Sequence, residues 1–130
     1  MNAPLRGRHA AAGLVQDLDG RPVVLLEHDT QWARTLRQTL MSWGVEVFLG
    51  AEGIAADEAP LILMSEHAFA SHVFRDRLRR ARHLLPEADL LVVTEAGAPI
   101  DGLPDCLLSH GDLADCLRGL GVSFFCEVHA

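Results

Sequence analysis

Val23-Val24-Leu25-Leu26 is an unbroken run of branched or large apolar residues that begins behind Pro22 and is cut off by Glu27, His28 and Asp29. A strand with one wet face would alternate apolar and polar residues. A run without alternation needs cover on both faces, and strands of that kind belong to parallel sheets. The same pattern returns in Leu61-Ile62-Leu63-Met64, stopped by Ser65, Glu66 and His67, and in Leu90-Leu91-Val92-Val93, stopped by Thr94 and Glu95. Cys106-Leu107-Leu108 is a shorter version that ends at Ser109-His110. Val45-Glu46-Val47 alternates before Phe48-Leu49 continue apolar, which suits a strand nearer a sheet edge.

Helical periodicity fills the spaces between these runs. Asp29 and Thr30 are good N-caps, and Trp32, Ala33, Leu36, Leu40 and Trp43 recur at spacings of three and four until Gly44. The longest helical pattern carries Phe69, Ala70, Val73, Phe74, Leu78, Ala81, Leu84 and Leu85 on one face, with Arg75, Asp76, Arg79 and Arg82 opposite. A last helix presents Leu113, Cys116, Leu117 and Leu120 before Gly121. Residues 51–60 leave room for about two helical turns, and residues 96–104, with Gly97, Pro99, Gly102 and Pro104, are too broken for a core helix.

Strands alternating with helices predict an α/β, three-layer sandwich built on a five-stranded parallel sheet, because each crossover covers a sheet face. The common five-strand order is 2-1-3-4-5. The expected sheet uses Cys106-Leu107-Leu108 as its fifth strand, with the second and fourth helices short or missing. Residues 1–20 read as a tail or linker and residues 21–122 as the domain. Residues 123–130 read as a tail or junction to another domain, although Val122-Ser123-Phe124-Phe125 reads equally as an extra strand.

At 130 residues the chain is one domain's worth, with an ordinary globular composition of 49% hydrophobic and 22% charged residues. A net charge of −7 argues against nucleic acid as the main partner. All 11 basic residues are arginine, which removes Schiff-base and P-loop lysine chemistry. Cys106, Cys116 and Cys126 contain no CxxC pair and read as small hydrophobes rather than as a disulfide or zinc framework. No apolar run approaches the roughly 18 residues of a membrane span, and the first 20 residues lack a signal-peptide core. A cytoplasmic protein without membrane insertion is therefore expected.

In this order and spacing the motifs resemble the receiver domains of two-component signalling. The resemblance covers residues 20 to 121. It is carried by the first strand with Glu27, His28 and Asp29, by the helix to Gly44 with Val45-Glu46-Val47 behind it, and by the run ending at Ser65. Leu91-Val92-Val93-Thr94 and Cys106-Leu107-Leu108 leading into Asp112-Leu113 complete it. The approach Leu18-Asp19-Gly20-Arg21-Pro22 is similar to linkers that precede receivers in hybrid sensor histidine kinases. The resemblance implies a flavodoxin-like fold and a site where an acid pair holds magnesium, an aspartate accepts phosphate, and a hydroxyl and a lysine grip the phosphoryl oxygens.

Matched position by position, the acid pair falls on Glu27 and His28, the acceptor on Ser65, the hydroxyl on Thr94 and the lysine on Ser109, followed by His110. A serine forms no acyl phosphate, and histidine is a poor ligand for so hard a cation. The aromatic switch position on the fifth strand is Cys106. The resemblance therefore implies a pseudoreceiver: not an enzyme, without cofactor, and regulating a histidine kinase by domain docking. Its expected partners are proteins, namely a histidine kinase core or another receiver domain, in the same chain or a different one, and its setting extends to a domain of a membrane-anchored kinase.

Other readings stand beside this one. Asp29 or Glu66 is a candidate displaced phosphoacceptor. His28, Glu66, His67 and His110 are candidate ligands for zinc or another sensed metal or small ligand, against the plainer reading of solvated loop ends. Ser65 beside a histidine has the residue types of a nucleophile pair but lacks the surrounding motif. Arg75, Arg77, Arg79, Arg80 and Arg82 make a basic cluster that reads as a solvated helix face or as a docking surface for an acidic protein. The candidate docking residues are Arg75, Arg79, Arg82, Phe124 and Phe125, the phenylalanines being an interface if exposed and core if not.

Overall fold

The computed structural model describes residues 13–15, 21–26, 30–55, 57–95, 106–108 and 111–126. Its elements are β1 (Gly13–Val15), β2 (Val23–Leu25), α1 (Gln31–Ser42), β3 (Val47–Phe48), β4 (Leu61–Ser65), α2 (Glu66–Ala70), α3 (His72–Leu84), β5 (Asp89–Thr94), β6 (Cys106–Leu108), α4 (Gly111–Gly119) and β7 (Ser123–Cys126).

The main sheet has five strands in the order β3-β2-β4-β5-β7. Both neighbours of β2 are parallel to it, and β4 pairs with β5 in parallel from Leu61↔Asp89 to Ser65↔Val93. The apolar runs have the expected two-sided burial. Val23, Leu25, Leu61, Leu63, Leu91 and Val93 face Trp32, Ala33, Leu36 and Leu40 of α1 and Leu113 and Leu117 of α4. Val24, Leu26, Ile62, Met64, Leu90 and Val92 face Ala68, Leu78, Ala81 and Leu85 from α2, α3 and the turn beyond. Successive strand residues point to opposite faces, so each run feeds two cores at once.

The fifth place in the sheet corrects the sequence reading. Cys106–Leu108 is a strand, but it pairs in parallel with Gly13–Val15 in a separate two-stranded sheet. The place beside β5 belongs to β7, which runs antiparallel with Phe125 opposite Val92 and Phe124 opposite Val93. The sheet is therefore mostly rather than wholly parallel. The physical reason lies in burial: β7 brings two phenylalanines to straddle the sheet, Phe125 at 3% exposure on one face and Phe124 half-buried on the other. Both strands of the small sheet pass within 8 Å of β7, measured between Cα atoms.

The helices also depart from the simple pattern. Thr30, in extended conformation, caps α1 through its Oγ1, which accepts from the Ala33 amide at 3.4 Å. Gly44 ends the helix at a φ of 84°, a left-handed conformation that glycine adopts without strain. Trp43, expected on the buried stripe, is instead the C-cap and stands 45% exposed. The long apolar pattern from Phe69 is split by Ser71, whose ψ of 132° leaves the helical region and separates α2 from α3. Val73 and Leu84, expected in the core, are 59% and 43% exposed because the helix axis turns Leu78 and Ala81 inward. Among the described residues 51–60 hold no helix, although their length left room for about two turns.

Opposite the strands' carboxyl ends, Arg21 ties three segments together. Its guanidinium donates to the Ala59 and Pro60 carbonyls at 2.7 and 3.1 Å and to Asp89 Oδ2 at 2.8 Å. These groups precede β4 and open β5, so one planar fork holds the starts of the central strands in register. Among the described residues no helix is long and apolar enough to cross a membrane.

The β7 assignment carries a stability prediction. Phe125→Ala should cost about 3 kcal/mol in urea denaturation, the range for emptying a buried aromatic site. A value within about 0.5 kcal/mol, typical of an exposed position, would mean that residues 123–126 are a free tail.

Candidate functional site

The carboxyl ends of β2, β4 and β5 form one rim of the sheet, the edge where ligands collect in open α/β folds. β4 runs into α2 without a loop. Ser65 is the last strand residue and also the N-cap: at φ −81° and ψ 161° its Oγ accepts from the Ala68 amide at 2.9 Å. Ser65 is buried, with 7% of the residue's surface exposed. Its position as cap explains the residue type, because a short oxygen acceptor at that backbone geometry satisfies an otherwise orphaned helix amide.

Had the strand continued past Ser65, Glu66 would point to the opposite face of the sheet. The strand stops, the chain turns helical at Glu66, and its carboxylate comes back over the rim. Thr94, 4% exposed at the end of β5, donates its Oγ1 proton to Glu66 Oε1 at 2.6 Å. A hydroxyl-to-carboxylate bond of that length is charge-assisted and among the stronger side-chain contacts. It joins the ends of the two central strands. Among the described residues every buried side-chain nitrogen or oxygen has a hydrogen-bond partner.

The remaining rim positions of the sequence reading, Glu27, His28, Asp29, Ser109 and His110, lie outside the described residues. His67 is exposed on α2. Among the described residues no group of three or more histidine, cysteine, aspartate or glutamate side chains could hold a metal ion.

The basic helix resolves into individual roles. Arg75 lies over the Phe69 ring at 4.4 Å and donates to the Phe69 carbonyl at 3.2 Å, bracing α3 against α2. Arg79 pairs with Asp76 at 2.7 Å one turn away, while Arg82 is half-buried. Phe124 and Phe125 belong to the sheet and its two cores, with Arg118 over the Phe124 ring at 5.6 Å. Arg77 and Arg80 have no hydrogen bond or ion pair to other described residues, and they border a crevice that the sequence reading did not place. The available signal was their spacing with Val73 and Leu84, which puts all four on one helical stripe.

Cys116 lies half-buried on α4, where burial pushes its thiol up from the ordinary 9.0 and a hydrogen bond with Thr39 pulls part of the way back. A raised folded value means that the unfolded thiol ionises first, so this group favours folding below pH 9.0 and loses that contribution as pH rises through its higher folded value.

No family model, curated protein or solved structure matches the chain.

Two measurements check this geometry. Ser65→Ala should cost about 1 kcal/mol in urea denaturation through the lost cap, and Thr94→Val a similar 1 to 2 kcal/mol, roughly, because Glu66 loses its donor. Iodoacetamide at pH 8 should modify Cys116 more slowly in the folded chain than in urea; equal rates would remove the burial argument.

Proposed function

We propose that the chain is a receiver-like regulatory module that has lost phosphoryl chemistry and acts by docking onto protein. In this reading it serves two-component signalling by controlling a histidine kinase core, or by pairing with a second receiver. The parallel order β3-β2-β4-β5, with α1 and α4 on one face and α3 on the other, supports a flavodoxin-like description in which β7 takes the last place.

The observation that carries the proposal is the use made of the rim hydroxyls. Where a receiver's acceptor carboxylate would stand, Ser65 supplies a helix cap, and Thr94 binds a carboxylate of the same chain. A capping hydroxyl held in the protein offers no anion to attack phosphorus and no charge to recruit magnesium. Without a covalent change of charge, control comes from a docking equilibrium that another domain or ligand biases.

One observation favours a second reading. Glu66 places a carboxylate against the Thr94 hydroxyl, which is the pairing a displaced phosphoacceptor would use. Incubation with acetyl phosphate and magnesium, followed by intact-mass measurement, separates the two. The docking module gains no phosphoryl group, and beryllofluoride leaves the rim amide signals in place. A magnesium-dependent adduct that disappears in Glu66→Gln establishes the second reading and overturns the first.

A further inference from the structure

A crevice of about 270 Å³ opens between the end of β2 and the outer flank of α3. Leu26 and residues 49–52 form one wall, and Arg77, Arg80 and Ala81 form the other. The stretch that connects β3 to β4, which covers a sheet face with a helix in a regularly wound α/β sandwich, passes here as turns around Ala51 and Ile54. One flank of α3 is therefore left without a helical neighbour among the described residues.

That flank has a definite pattern. Val73, Arg77, Arg80 and Leu84 follow at spacings of four, three and four, so they line one stripe of α3. The two apolar ends are 59% and 43% exposed, and Leu49 across the crevice is 45% exposed. These are separate apolar side chains rather than one patch, and each gains burial when a partner covers it. Between them stand two guanidiniums without a carboxylate partner among the described residues, in a chain whose net charge is −7. On the same helix Arg75 is held by Phe69 and Arg79 by Asp76, whereas Arg77 lies over the Phe74 ring at 5.3 Å and has no anionic partner among the described residues. Glu52 is the one acid of the crevice wall, and its carboxylate is folded over Gly50, within 2.5 Å of where a Cβ there would sit.

We propose that this crevice is a docking groove for an acidic amphipathic helix of a partner protein, which takes the place that a helix between β3 and β4 would hold. Two carboxylates of the incoming helix meet Arg77 and Arg80, and apolar residues one turn to either side cover Val73, Leu84 and Leu49. The required pattern is apolar-acid-acid-apolar at spacings of four, three and four. Charge selects the partner and the apolar ends supply the area, in the usual helix-in-groove manner. The inference rests on the docking reading for its biological role and names the surface that role would use.

The test uses the full chain and a stapled helical peptide of about 15 residues, long enough to span the stripe. The peptide carries Leu-x3-Glu-x2-Glu-x3-Leu, and a scrambled peptide of equal composition serves as control. In amide NMR titration the expected result is saturable shifts at Gly50, Ala51, Arg77, Arg80 and Ala81. Arg77→Glu combined with Arg80→Glu should weaken binding about tenfold or more, whereas Arg75→Glu combined with Arg79→Glu should leave it within about twofold. All four side chains are exposed, so circular dichroism should report folded protein in both double variants. Equal binding of the scrambled peptide, absence of saturable shifts at these residues, equal weakening by the two double variants, or the same shifts produced by inorganic phosphate alone would each overturn the groove. None of these outcomes bears on phosphoryl transfer, so a failed groove and a failed docking module are told apart by the acetyl phosphate measurement.

Discussion

Burial of β2, β4 and β5 on both faces is the constraint from which the rest of the structure follows. Three adjacent runs of apolar residues cannot be wetted on either side, so helices have to lie above and below them. The alternation of side chains then divides one sheet between two cores, with Leu61 and Leu63 in one and Ile62 and Met64 in the other. Ser65 and Thr94, which end the runs of β4 and β5, are thereby placed at a single edge. Arg21 secures the opposite edge, where its contacts to Ala59, Pro60 and Asp89 keep the strand starts level.

The rim that results is settled internally. Ser65 and Thr94 are both buried, and both face groups of the same chain: a helix amide and the Glu66 carboxylate. Polar side chains used in this way fix geometry, since exchanging them would leave a donor or acceptor without water. The surface of α3 is different: Arg77 and Arg80 have no anionic partner among the described residues, and Val73 and Leu84 are exposed. Surfaces with unsatisfied charge and uncovered apolar area are the ones that gain by association.

Much of this was legible from residue order. Apolar runs gave the central strands, and spacing gave α1, its Thr30 cap and its Gly44 stop, because these are local consequences of backbone geometry. Legibility failed where distant segments competed. Cys106–Leu108 and Ser123–Cys126 are both short apolar strands, and nothing local tells which one lies beside β5. The split at Ser71 was hidden because the apolar spacing continues across it. For the rim, the residue types at Ser65 and Thr94 were readable, but the reach of Glu66 to Thr94 depended on the strand ending one residue earlier than a continued run would. Arg77 and Arg80 were visible as members of a basic cluster, yet only packing shows that they border a crevice while Arg79 is paired with Asp76.

The sequence by itself determined that this chain forms an α/β sheet buried on both sides, with polar residues at the strand ends, because hydropathy period and capping chemistry act over a few residues. Only the tertiary structure decided which strand closes the sheet, which way it runs, and which arginines border the crevice. Those outcomes depend on the relative fit of segments dozens of residues apart, and packing between distant surfaces leaves no trace in local spacing.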